Sequence, residues 1–164
     1  MKASTIVLVA ALSLAGAPAR AAELPLTTQL QALCLPFVEG RRPLEDVIAL
    51  AQRTGYPNRE TSGVFHELSG PAGRLGYAAM ADGRRSCDFE RPQGAYRQVL
   101  ADLKVWISRV PGGPWTATTP EGPDVAGKRV AGWTGAAAVV GVTEDFNADG
   151  DLVLMVEARS KAKP

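Results

Sequence analysis

The chain has 164 residues, 46% of them hydrophobic, with 18 basic side chains against 17 acidic ones. A balance this close to neutral, with basic residues clustering only in pairs such as Arg41-Arg42 and Arg84-Arg85, gives no basis for nucleic-acid binding.

Lys2 opens a short positive segment, Ile6 to Ala17 is nearly continuous apolar sequence, and Ala19-Arg20-Ala21 places small residues one apart. This is the pattern of a secretory signal peptide over residues 1–21, cut after Ala21. The apolar run is about a dozen residues, short of the roughly 20 that span a bilayer as a helix. No cysteine follows it closely enough for lipid anchoring, and no later segment is apolar enough to span. The mature chain is therefore expected in the periplasm or secreted, with no transmembrane anchor after signal cleavage. Residues 22–164, about 140 in number, are expected to form a single α+β domain with a sizeable core.

Thr27 or Thr28 can cap a first helix, in which Leu30, Leu33, Cys34, Phe37 and Val38 recur at helical spacing. Pro36 falls inside that pattern and predicts a kink or a second start. Gly40 ends the segment. A second helix follows Pro43, with Glu45 and Asp46 at its start, an apolar stripe of Leu44, Val47, Ile48, Leu50 and Ala51, and a stop at Gly55.

The period then changes. Val64–Leu68, Leu75–Met80 and Arg84–Phe89 alternate as strands, the last two joined by an Asp82-Gly83 turn. Cys34 and Cys87 are the two cysteines, and in an oxidising compartment they are expected to pair. That bridge would staple the first helix to the third strand. It closes a loop of about fifty residues, for which chain entropy allows roughly 4 kcal/mol.

Pro92 to Val110 holds the clearest helix. Tyr96, Val99, Leu100, Leu103, Trp106, Ile107 and Val110 form one apolar face, expected to pack across the sheet. Pro111 to Gly127 is rich in proline and glycine and reads as one long loop, a length that usually signals function or mobility. Lys128–Trp133, Ala136–Thr143 and Leu152–Ala158 read as three further strands, the last two meeting at Asn147-Ala148-Asp149-Gly150. The expected fold class is α+β: an antiparallel sheet of about five to six strands, helices packed on one face and one disulfide. A partly open barrel closed by the long helix is the alternative.

Few motifs point to chemistry. Asp145, Asn147, Asp149 and Asp151 resemble the first half of an EF-hand calcium loop, since hard cations need many converging oxygens. The twelfth position holds Val156 where the motif has a glutamate, and the flanks alternate like strands. Two readings stand: a weak calcium site as the single cofactor candidate, or an acidic hairpin turn. Gly122 to Lys128 looks like a phosphate loop but lacks the following Ser or Thr, a preceding strand and a following helix. His66 is the only histidine, so no HExxH zinc pair exists, and no serine occupies a GxSxG elbow. Glu60, Glu67, Asp88 and Glu90 are scattered without a motif.

Trp106 and Trp133 fit the core, whereas Trp115 sits in the long loop, where an aromatic anchor can dominate protein–protein binding. The resulting expectation is a small exported, non-catalytic interaction protein of inhibitor, immunity or accessory type. Its partner is another envelope protein, met at the loop around Trp115. The alternative is a small envelope hydrolase or a calcium-dependent envelope protein.

Overall fold

The first helical segment shows how the sequence accommodates a proline. In the computed structural model, which describes residues 25–118, 128–147 and 150–161, α1 (Leu26–Gln29) runs into a π-helical turn (Leu30–Cys34) and continues as α2 (Leu35–Val38). Pro36 lacks an N–H, and its ring crowds the carbonyl one turn back. The turn before it is widened, with the Leu35 N–H bonded to the carbonyl of Leu30. One extra residue in the turn carries the helix past the proline. Gly40, at φ 76°, takes the left-handed position that ends the segment, its N–H bonded to the Phe37 carbonyl at 3.0 Å. α3 (Leu44–Arg53) starts after Pro43 with Glu45 and Asp46 in its first turn and buries Val47, Ile48 and Ala51, as the spacing predicts. The expected signal peptide, residues 1–21, lies outside the described residues.

Among the described residues one antiparallel sheet holds all the strands: β1 (Asn58–Ser62), β2 (Phe65–Gly70), β3 (Gly73–Ala79), β4 (Arg85–Pro92), β5 (Thr116–Ala117), β6 (Lys128–Thr134), β7 (Ala138–Phe146) and β8 (Leu152–Ser160). Their order is β1-β2-β3-β4-β8-β7-β6-β5. The groups of strands on either side of α4 (Tyr96–Ile107) thus join where β4 pairs with β8.

The expected five to six strands are corrected to eight. The two additional strands are the sheet's edges. β1 reads Asn-Arg-Glu-Thr-Ser and is exposed throughout, and β5 is two exposed residues. Neither buries a side chain, so no period-two apolar pattern marks them.

The placement of the helices is corrected as well. α2 lies against β4 and β8, and α3 reaches β2, but α4 packs chiefly against α1 rather than across the strands, so the helices are not gathered on one face. Val99, Leu103 and Ile107 of α4, with Val110 beyond it, are buried as predicted. An apolar stripe shows that a helix face is covered, not which element covers it.

The Cys34–Cys87 disulfide forms as expected, with 5.4 Å between the Cα atoms, and ties the first helical segment to β4. The core gathers Leu68, Leu75, Tyr77, Phe89, Val142, Leu154 and Val156 from the strands against Leu30, Leu33 and Phe37. Phe37 meets Tyr77 edge-on at 5.4 Å between ring centroids. Strand side chains alternate, so the residues between these core positions project from the opposite side of the sheet. No helix among the described residues is long and apolar enough to cross a membrane.

Candidate functional site

The side of the sheet away from the core strands' buried residues carries an unusual row. Strand register sets Glu67, Gly76, Asp88, Glu157 and Gly141 side by side on β2, β3, β4, β8 and β7. The adjacent row holds Phe65, Ala78, Ser86 and Arg159. Two adjoining hollows lie over these rows. The larger, about 470 Å³, is lined among others by Met80, Arg84, Asp145 and Glu157. The smaller, about 210 Å³, is lined among others by Glu67, Arg74 and Glu90. Both share Phe65, Ser86, Asp88 and Met155.

Asp88 is the centre of this arrangement. A Cβ on Gly76 would sit 2.7 Å and 2.8 Å from the two Asp88 carboxylate oxygens. The carboxylate therefore leans across β3 into space that only glycine leaves open. It is only partly exposed, and no hydrogen-bond donor reaches it among the described residues. Burial pushes the Asp88 carboxyl up to about 6; the nearby Glu157, Glu67 and Glu90 add to the rise, and Arg159 opposes it.

The surrounding charges are mostly matched. Glu157 pairs with Arg159, and Arg84 with Asp82 at 2.6 Å. Arg74 lies 3.8 Å from Glu67. Arg85 donates to the Phe37 carbonyl at 3.0 Å with its guanidinium over the Phe37 ring. Glu90 accepts from Asn147 Nδ2 at 3.4 Å, and Asp145 accepts the Phe146 N–H at 2.7 Å. Among the described residues Asp88 is left as a carboxylate without a direct partner.

The residues singled out from sequence are dispersed. Trp115 is half-buried, its indole lying against Gly112, Gly113 and Gly135 with the ring N–H buried and unbonded. The rest of its loop, residues 119–127, lies outside the described residues, as does most of the phosphate-loop lookalike. Asp145 lies near the end of β7, opposite Val153 of β8, Asn147 and Asp151 belong to the turn between the two strands, and Asp149 lies outside the described residues. Asn147 Oδ1 accepts the Asp151 N–H at 2.8 Å, and the Asn147 N–H donates to the Asp151 carbonyl at 2.9 Å. This is a turn closed on itself. Among the described residues no three potential metal ligands converge.

His66 takes a structural position. Its Nδ1 lies 3.0 Å from Arg59 and 3.2 Å from Thr61. Arg59 in turn holds Glu45 of α3 through bonds of 2.8 Å and 2.9 Å. His66 has the strand parity of buried Leu68, opposite to Phe65 and Glu67, yet it reaches the edge of the smaller hollow that Ser86 and Asp88 also line; among the described residues no hydrogen bond joins it to either, so no catalytic triad is formed. The site residues that sequence reading missed are Asp88, Gly76, Glu157 and Phe65. A signal existed: Glu67, Asp88, Glu90 and Glu157 all occupy alternate positions beside buried residues, which puts them on one face once the strands pair.

No family model matches the chain, and neither does any curated protein or solved structure. Its function is therefore argued from the site itself.

Proposed function

We propose that this is an exported, non-catalytic interaction protein of the periplasm or medium, and that it meets another envelope protein through the hollowed sheet face centred on Asp88. The observation that carries the reading is Asp88 itself: a carboxylate without a direct partner among the described residues, on the floor of two adjoining hollows lined by both acids and arginines. Folding alone favours a neutral or paired group there. A strongly perturbed group in a cleft is a candidate functional position. The disulfide supports export, since such bonds persist in oxidising compartments.

The hydrolase alternative draws on the same residue, because a carboxyl held near 6 can give or take a proton at physiological pH. It also requires an activated nucleophile. Ser86, the hydroxyl on the same strand face, has no hydrogen-bonded base among the described residues. The calcium-dependent alternative rests on the Asp145–Asp151 turn.

Photo-crosslinking tests the interaction reading. A crosslinking residue is placed at position 65, on the hollowed face, or at position 105 on α4; the native side chains there are 58% and 54% exposed. In the envelope fraction of the source cell, position 65 is expected to give one dominant protein adduct and position 105 none. Equal labelling from both positions, or none from position 65, overturns the reading.

A further inference from the structure

Resting on that reading of the sheet face, we infer that the seat at Asp88 takes the protonated side chain of a lysine or arginine presented by the partner protein. Charge complementarity selects the cation. Arg84, Arg159 and Arg74 already have carboxylates of their own and Arg85 is taken up by the Phe37 carbonyl and ring, whereas Asp88 has no ion pair among the described residues. An anion entering there would face Glu67, Glu90 and Glu157 as well as Asp88. A neutral donor would bond the carboxylate without compensating its charge.

Space and shape agree with the charge. Gly76 leaves the strand beside Asp88 without a side chain, and the smaller hollow opens there. Phe65 and Met155 line both hollows and give an aliphatic stem apolar surface to lie against. Phe65 also offers a ring face to a cation. The exposure of Phe65 at the rim points to a protein as the source, because a small amine in the seat would leave that ring in water, whereas a protein surface would cover it.

The pairing is coupled to protons. Asp88 must be ionised to hold a cation, and its carboxyl is pushed up to about 6. Glu67, Glu90 and Glu157 face it as acids, with Asp145 farther along the larger hollow; Arg159, Arg74, Arg84 and Arg85 are the bases of the two hollows, and His66 and Tyr77 line the smaller one. Affinity for a basic ligand therefore falls as the pH drops through about 6.

The test uses the oxidised, isotope-labelled mature protein and four probes: a blocked Lys-Ala repeat peptide, its Gln-Ala and Glu-Ala counterparts, and putrescine. The Lys-Ala peptide is expected to shift the amide signals of Gly76, Asp88 and Glu157 saturably, and more weakly at pH 5 than at pH 7. Asp88→Asn is expected to weaken that binding about tenfold or more. Gly76→Ala keeps the charge but displaces the carboxylate, and is expected to weaken it too. Equal shifts from the Gln-Ala peptide, or binding unchanged in Asp88→Asn, overturn the cationic seat while leaving the interaction face standing. Putrescine binding without peptide binding overturns the protein source. Absence of the position-65 crosslink in the parent protein overturns the interaction face itself, and the inference with it.

Discussion

Asp88 makes a quantitative claim at the scale of one residue. Its carboxyl sits near 6 in the fold against an ordinary value of 3.8, so the folded state binds the proton more tightly than the unfolded state does. The sign follows: stability is greatest below about pH 4 and declines as the pH rises through about 6. Above that range the ionised group costs on the order of 2 kcal/mol, taking its partial exposure into account. Asp88→Asn is predicted to be more stable than the parent at neutral pH, with the difference vanishing near pH 3. Urea denaturation across that range measures it, and a less stable Asp88→Asn protein at pH 7 contradicts the account. The sequence carried Asp88 in plain sight, one position after Cys87. What hid it was that its importance lies in the absence of a partner, and an absent partner has no sequence signature. The Cys34–Cys87 bond was legible for the opposite reason: two cysteines in a sequence that reads as exported leave one intramolecular pairing.

Elements were readable where burial shaped them. The apolar stripe of α4 marked its buried face, and Leu103 on that stripe is fully buried. Leu103→Ala is predicted to cost about 2–5 kcal/mol, measurable by denaturation, since it empties a packed site. A cost below about 1 kcal/mol would mean that this face is not packed as described. β1 and β5 were not legible, because edge strands bury nothing and their sequences are free to be polar. The acidic turn between β7 and β8 could be read two ways from sequence. In the structure the Asn147 side-chain oxygen is taken up by the Asp151 N–H. Asn147→Ala is accordingly predicted to cost about 1 kcal/mol, and millimolar calcium to leave the melting temperature unchanged. A calcium-dependent rise that Asp145→Ala removes would establish the turn as a cation loop instead.

At the scale of the whole molecule, the class α+β and the disulfide staple followed from the chain, but the strand order did not. β4 pairs with β8 across the long helix and the loop that follows it. No local pattern encodes such a pairing, since alternation fixes which face a residue takes and not which strand lies beside it. The candidate site depends on that pairing, because Asp88 and Glu157 become register partners only there. The Cys34–Cys87 bond anchors β4, the strand that carries Asp88, to the first helical segment. Replacing both cysteines with alanine is predicted to lower stability by up to about 4 kcal/mol, read as a fall in melting temperature against the oxidised parent. An unchanged melting temperature would remove the bond from the account of stability.

The central claim is that the hollowed face around Asp88 receives a protein partner, and the crosslink from position 65 tests it most directly when made in two backgrounds. The account predicts one dominant adduct in the parent protein and its loss, or a severe reduction, when Asp88 is replaced by asparagine in the same chain. No dominant adduct from position 65 in the parent protein would contradict the claim, and an adduct of undiminished yield in the Asp88→Asn background would contradict the part given to Asp88 in it.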